Sequence, residues 1–504
     1  MSSQSRISVG LVELPEIALY DPRGISRATV RKGSALISKQ VLMASLEAGG
    51  FDVQLFNLKA GNDEEAYGEV EWNDVTLTKV MCGSSYRQID PSACDVWGIT
   101  SNFSQHRNAA RIIIQHLRSK GRPVIVGGSD AIAEVNTYLE MGADAIVLDK
   151  SGAANWAVVD CLAGRSPRGT LSGVVFREPR DVSTRVVPMT PHEWPLPSRR
   201  VVEQCLGSEY WAEYLPESLL KIGSIVTDIG CDRKCDFCQT PSYRVGYKSM
   251  SAEVAYQWLK AQKEAGAGSV IGSSDQFLAR LLWDGGRDEV LEIMRGVHEL
   301  ELGILWANGL ELRKATLGRG FSRGEVDLSP DEELIKALWG WNGTSGCYHA
   351  FIPAERPLHG RENYAKLLPW REHCELMKAI VRAGVPVLTY GCIIGFEDDD
   401  DRSLQLLEEG AWELFEELKR INPQLNFQIA PFSLSPIPGT PQGVRFRESG
   451  LLRFADPEIF GGIWVPCADT KYLSYKEIAQ WQRRLLKIGV VGGRSQFMDS
   501  VFEL

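Results

Sequence analysis

The sequence predicts an α/β protein of two successive parallel-sheet domains with a short C-terminal region. Three observations carry this reading. At 504 residues the chain is longer than one hydrophobic core comfortably serves. Short apolar runs alternate with amphipathic helical patterns in two separate series, one before about residue 150 and one after residue 220. Between them lies an irregular stretch with prolines at 167, 179, 188, 191, 195 and 197.

The elements follow in order. RISVGLV (6–12) reads as a buried strand, and an amphipathic helix over 34–48 ends at Gly49 and Gly50. The strand FDVQLFNL, the strand DVWGIT (95–100), the helix HRNAARIIIQHLRSKG, the strand PVIVGG (123–128), a short helix and the strand ADAIVLD (143–149) complete a doubly wound first domain, 1–165. Residues 166–220 read as a connector, with SGVVFREPRD as a hairpin arm crossing between domains. The second domain, 221–441, has strands at 221–230, 268–275, 302–310, 346–355, 386–396 and 425–436. Helices at 251–265, 285–299, 331–340, 362–383 and 403–420 separate them, which predicts a partial (β/α)6 barrel with its chemistry at the C-terminal strand ends. Residues 442–504 predict a small helical tail.

Composition narrows the function. Apolar residues at 44% and charged residues at 24% suit a globular protein. The net charge of −10 argues against nucleic acid as the main partner, because phosphate binding needs a basic face. No run of 18 apolar residues predicts a membrane span and no apolar leader is visible, so a cytoplasmic enzyme is expected. The acidic run Glu397 to Asp401 reads as a solvated loop or helix start. Eleven cysteines, an odd count, argue against a disulfide framework. Eight are scattered and read as small buried hydrophobes.

The other three are Cys231, Cys235 and Cys238, spaced C-x3-C-x2-C directly after the first strand of the second series. Thiolates suit zinc or iron–sulfur centres. A structural zinc site is closed by four ligands, and no fourth Cys or His follows before His298. Three cysteines on a four-iron cluster leave one iron open. Asp232, Arg233 and Lys234 make the loop too polar for three plain core thiols.

This motif, with Phe237 before the last cysteine, resembles the signature of the radical S-adenosylmethionine superfamily. The resemblance implies a [4Fe–4S] cluster on the catalytic Cys231, Cys235 and Cys238, whose open iron chelates S-adenosylmethionine. It extends over 221–441. Ser274 and Asp275 stand where relatives hold the methionine amino group, and Glu355 and Arg356 where relatives approach the ribose and carboxylate. Gly391, Ile393 and Gly395, with Asp398 for the final Glu, fit the G-x-I-x-G-x-x-E adenine-contact pattern. PFSLSPIPGTP (431–441) looks like the end of the same barrel.

The first domain resembles the Rossmann-like cobalamin-binding domain that precedes this barrel in the cobalamin-dependent subfamily. Thr100, Ser101 and Asn102 at one strand end, and Gly127, Gly128 and Ser129 at another, are the implied cofactor-binding residues. The D-x-H-x-x-G motif that supplies a cobalt-ligating His is absent; His106 reads as structural. Tyr86 and Arg87 are candidates for the lower corrin face, and Trp464, Tyr472 and Tyr475 for a substrate wall or core. The alternative is a nucleotide-binding or degenerate domain. The full resemblance implies a C-methyltransferase that moves a methyl from S-adenosylmethionine through methylcobalamin to a carbon of a small-molecule (natural-product) substrate. An external electron donor of flavodoxin or ferredoxin type would reduce the cluster. The runner-up is a cobalamin-dependent cyclase or ring-rearranging oxidoreductase without methyl transfer.

Overall fold

A computed structural model of the chain describes residues 6–26, 33–167, 171–178, 182–183, 187–208, 216–319, 326–359, 364–462 and 465–489. In chain order the first strands are β1 (Ser8–Glu13), β2 (Glu16–Tyr20), β3 (Asp52–Asn57), β4 (Asp63–Trp72), β5 (Val75–Gly83), β6 (Val96–Thr100), β7 (Val124–Gly127), β8 (Ala145–Val147), β9 (Val174–Phe176) and β10 (Val182–Ser183). Seven of them form one sheet in the order β10-β9-β8-β7-β6-β1-β3. From β3 to β8 every pairing is parallel. The chain runs from β1 outward to β3 and then back to β6 on the other side, so the topological switch lies between β1 and β6. Apolar runs such as Val124, Ile125 and Val126 are buried, as a sheet covered on both faces requires. The helix Arg107–Arg118 covers one face with Ala109, Ala110, Ile113, Ile114 and Leu117, an i, i+3, i+4 stripe.

Two features depart from the sequence reading. SGVVFREPRD is no arm between domains, because β9 and β10 add antiparallel to β8 and extend the first sheet past residue 165. Residues 63–83, to which no element was assigned, form the strands β4 and β5, which pair with β2 in a separate antiparallel sheet. Half of the residues of its outer strand DEEAYGEVEW are charged, and only some positions turn inward, so it lacks an apolar run.

The second domain holds β11 (Ile222–Ile225), β12 (Asp228–Ile229), β13 (Lys248–Ser249), β14 (Ser269–Gly272), β15 (Gly303–Trp306), β16 (Gly346–Glu355), β17 (Val387–Ile394) and β18 (Asn426–Ser433). Six of these form one parallel sheet in strict chain order, β11-β14-β15-β16-β17-β18. The helices Ala252–Glu264, Gly286–Glu299, Glu332–Trp339, Trp370–Arg382 and Asp401–Ile421 connect them. Among the described residues the edge strands β11 and β18 do not pair, so the array is open. The segment read as one strand over 221–230 is divided. The main strand stops at Ile225, and β12 leaves the sheet to pair antiparallel with β13. Buried Asp228 enforces the break, since it accepts from Thr227 Oγ1 at 2.8 Å and pairs with buried Arg280 at 3.4 Å. The helix read as 362–383 starts only at Trp370, after Pro369.

Candidate functional site

The β12–β13 excursion carries the cysteines. Gly230, at φ +80°, turns the chain out of β12 and donates its N–H to Asp275 Oδ2 at 2.8 Å. Cys231, Cys235 and Cys238 are half-buried and line one cleft, with about 920 Å³ of empty space partly open to solvent. The loop is held from both sides of the barrel. Gln239 Nε2 donates to Pro438 O at 2.7 Å, Gln442 N donates to Asp236 O at 3.1 Å, and Tyr364 Oη donates to Asp236 Oδ1 at 2.9 Å. Burial pushes the Cys231 thiol up to about 12 and the Cys235 thiol up to about 11. Thiolates here therefore need a bound cation to compensate them, which suits a soft metal centre.

The ends of successive strands wall the cleft. After β14, Asp275 faces it. Ser274 does not, being buried beneath with its Oγ accepting from Thr227 N at 3.1 Å, so it positions the backbone. After β15 come Asn308 and Glu311. Asn308 Nδ2 donates to Ser273 O and Ser274 O at 3.1 Å. Glu311 is buried, accepts from Gln276 Nε2 at 2.9 Å and pairs with Arg233 and Lys314. Burial would raise its carboxyl, but Lys314 and Arg233 outweigh that and hold it below the usual carboxylate range. Lys314 also grips Asp232 at 3.0 Å. Sequence reasoning missed Glu311, Lys314 and Lys366; the only available signal was their position after strand ends.

At the end of β16, Glu355 lines the cleft in a left-handed conformation, φ +57°. A register shift against β17 accompanies it. A non-glycine residue holds such a conformation only where its surroundings impose it. One carboxylate oxygen pairs with Lys366, and Oε2 is buried without a partner. Arg356 points elsewhere. Its guanidinium is buried on Asp399 at 2.7 Å and Asp398 at 3.0 Å, over the Phe396 ring. It does not line the cleft, because its Nη2 is held on those two carboxylates and its face lies on the Phe396 ring.

The glycine pattern on β17 needs a second correction. A Cβ on Gly391 would lie 2.4 Å from Phe351 Cζ, so the room this glycine leaves is taken by an aromatic ring, not left open. Gly395 and Phe396 donate their N–H groups to Asp399 Oδ2 at 2.8 and 3.0 Å. Asp399, one residue beyond the expected Asp398, is thus the organising carboxylate, and it is buried rather than solvated. Ile393 is half-buried against the apolar cluster that includes Phe396 and Leu434. Phe237 lines the cleft with Tyr364 and Phe396 at 5.4 and 6.0 Å between centroids.

The strand ends of the first sheet meet this loop. Thr100 is half-buried, Ser101 Oγ shares a 2.7 Å hydrogen bond with Tyr138 Oη, and Asn102 Oδ1 accepts from Ser129 N at 3.2 Å. Gly127 leads into Gly128, where φ is +102° and a Cβ would sit 2.4 Å from Ser101 O, so only glycine fits. Ser129 Oγ accepts from Tyr243 Oη at 2.7 Å and from Lys150 Nζ at 3.0 Å. Tyr243 belongs to the turn Thr240–Tyr243 just after Cys238, which joins the two predicted sites. His106 is buried, as expected of a structural residue, while Phe103 at the same edge is 57% exposed. Tyr86 packs on His116, and Arg87 pairs with Glu65. Tyr475 is half-buried and packs on the core through Trp72 and Phe454, whereas Tyr472 is exposed; Trp464 lies outside the described residues.

No family model matches this chain. No curated protein matches it either. Solved structures do. The radical S-adenosylmethionine methyltransferase TsrM from Kitasatospora setae, with cobalamin and a [4Fe–4S] cluster bound, is 15% identical over 90% of this chain and 76% of its own, at a TM-score of 0.56. The same enzyme with tryptophan and an S-adenosylmethionine analogue matches over 95% of this chain and 89% of its own, at 14% identity and a TM-score of 0.57. The cobalamin-dependent S-adenosylmethionine radical enzyme OxsB, with aqua-cobalamin and S-adenosylmethionine bound, is 14% identical over 95% of this chain, at a TM-score of 0.65. This chain spans 66% of the OxsB chain. The fold is therefore that of cobalamin-dependent radical S-adenosylmethionine enzymes. In this chain that fold combines a doubly wound sheet, a six-stranded parallel array and a three-cysteine cleft where they meet.

Proposed function

We propose that this chain is a cobalamin-dependent radical S-adenosylmethionine enzyme, acting as a C-methyltransferase on a small molecule. One observation carries the reading: the three-thiol cleft at the strand ends of the parallel array adjoins the glycine-lined strand ends of the first sheet through Tyr243 and Ser129. When bound, the cluster and cobalamin would supply one-electron cleavage of a sulfonium and methyl carriage. Cys231, Cys235 and Cys238 would hold the cluster. Asp275, Asn308 and Glu355 would present oxygens to the amino and hydroxyl groups of S-adenosylmethionine, and Lys366 would offer its ammonium near the carboxylate. The unpartnered Glu355 Oε2 is the clearest vacant acceptor. Thr100 to Asn102 and Gly127 to Ser129 would line the cobalamin tail. Phe237, Leu367 and Leu368 would exclude water from the cleft.

A second reading, radical chemistry without methyl transfer, draws support from OxsB, described only as a radical enzyme and matched at the higher TM-score. Anaerobic reconstitution tests both. S-adenosylhomocysteine together with 5′-deoxyadenosine and a product heavier by one methyl is expected. 5′-Deoxyadenosine with no S-adenosylhomocysteine would favour the second reading. Replacing Cys231, Cys235 or Cys238 with Ser is expected to bring iron–sulfur absorbance and 5′-deoxyadenosine to background. Full activity in any of these variants would sink the proposal.

A further inference from the structure

Most of the charged side chains around the cysteine cleft are ion-paired. Arg233 and Lys314 face Glu311, Lys366 faces Glu355, and Arg356 faces Asp399. Lys150 has no ion-pair partner among the described residues. It follows β8 of the first sheet, with its ammonium 3.0 Å from Ser129 Oγ and 4.1 Å from the centre of the Tyr243 ring, both neutral. The acidic groups that act on it are Asp275, whose Oδ2 accepts from Gly230 N, and Cys238. Tyr243 stands on the turn that follows Cys238, so the ring beneath the ammonium is fixed to the loop that carries the thiols.

A half-buried cation on a neutral hydroxyl and an aromatic ring is steadied by nearby negative charge. Here the anionic groups that act on it are Asp275 first and the Cys238 thiol second, both on the cysteine cleft. We propose that Lys150 is a positioning residue through which the first domain sets the reduction potential of the three-cysteine centre, raising it. The proposal rests on the cluster reading given above. A positive charge held nearby favours the state with one more electron. The step is a single electron passing from an external donor to the cluster, with no bond broken and no proton moved. Ser129 and Tyr243 keep the ammonium at the thiol loop and add no charge of their own.

The test is a redox titration followed by electron paramagnetic resonance on reconstituted full-length protein. The set comprises the unaltered chain, Lys150→Met, Lys150→Gln, Lys150→Arg and Tyr243→Phe, with iron and sulfide counted in each. At the midpoint potential of the unaltered protein, both neutral variants are expected to show about a tenfold lower ratio of reduced to oxidised cluster, equivalent to about 59 mV for one electron. Lys150→Arg and Tyr243→Phe keep the charge and are expected to stay near the unaltered value. An unchanged potential in a cluster-loaded neutral variant, or an equal fall in Lys150→Arg, overturns the proposal. Absence of any iron–sulfur signal in the unaltered protein would instead remove the cluster reading beneath it.

Discussion

Asp399 shows how much one side chain can organise. Its carboxylate takes two backbone N–H groups from the turn after β17 and the guanidinium of Arg356, all out of solvent. Removing one member of a buried pair leaves the other uncompensated, which costs roughly 3–5 kcal/mol. Asp399→Asn keeps the shape but loses the charge, so a drop toward that range is expected in denaturant unfolding. A change below about 0.5 kcal/mol, the scale of ordinary surface substitutions, would show that Arg356 finds Asp398 instead. From the sequence, the run Glu397 to Asp401 offered five adjacent residues, four of them aspartate, with no way to tell which turned inward. The cysteines were legible because their chemistry lies in spacing. Arg356 was not, because an arginine's partner is set by the next strand's turn. Gly391 was misread for a related reason: the ring that fills its space, Phe351, sits on β16, forty residues earlier.

At the level of elements, the strands of both parallel sheets were legible because each is an apolar run buried on two faces. The antiparallel sheet of β2, β4 and β5 was not, since one face of its edge strand is solvated and charged. The division of the first barrel strand was also hidden. It depends on Asp228 meeting Arg280, fifty-two positions away. That pairing makes a prediction. Arg280 donates to Met250 O at 3.2 Å and to Thr227 O at 3.4 Å, so it ties both strands of the β12–β13 pair to the barrel. Arg280→Met is expected to loosen the cysteine loop and to release iron to a chelator several-fold faster. Unchanged release kinetics in a folded variant would mean that Asp275 and Tyr364 hold the loop unaided.

Over the whole molecule, the chain ends fasten together what the middle separates. The tail joins a core with the antiparallel sheet, where Trp72 and Leu77 meet Phe446, Ile459 and Val465. Trp72 Nε1 donates to Pro466 O at 2.9 Å. Beside them Glu458 is fully enclosed, accepting from Tyr67 Oη at 2.8 Å and Asn108 Nδ2 at 2.9 Å, with Lys79 against it. Burial, with Asp456 alongside, pushes its carboxyl up to about 7. The folded protein then holds a proton that the unfolded chain has already released, so this group's contribution to stability is present below about pH 4.5 and is lost as pH rises through about 7. Melting temperature is expected to fall between pH 5 and pH 7.5, and Glu458→Gln is expected to flatten that fall. An identical slope in the variant would assign the pH dependence elsewhere.

The anchoring of the cysteine loop to Pro438 also bears on biosynthesis. Gln239 and Pro438 are 199 positions apart. A ribosome adding about 5–20 residues per second makes the thiols roughly 10–40 s before the segment that braces their loop. During that interval the nascent thiols lack their finished cradle, so on the cluster reading metal delivery would follow synthesis of Pro438, and a ribosome-bound fragment ending before residue 438 should retain iron poorly.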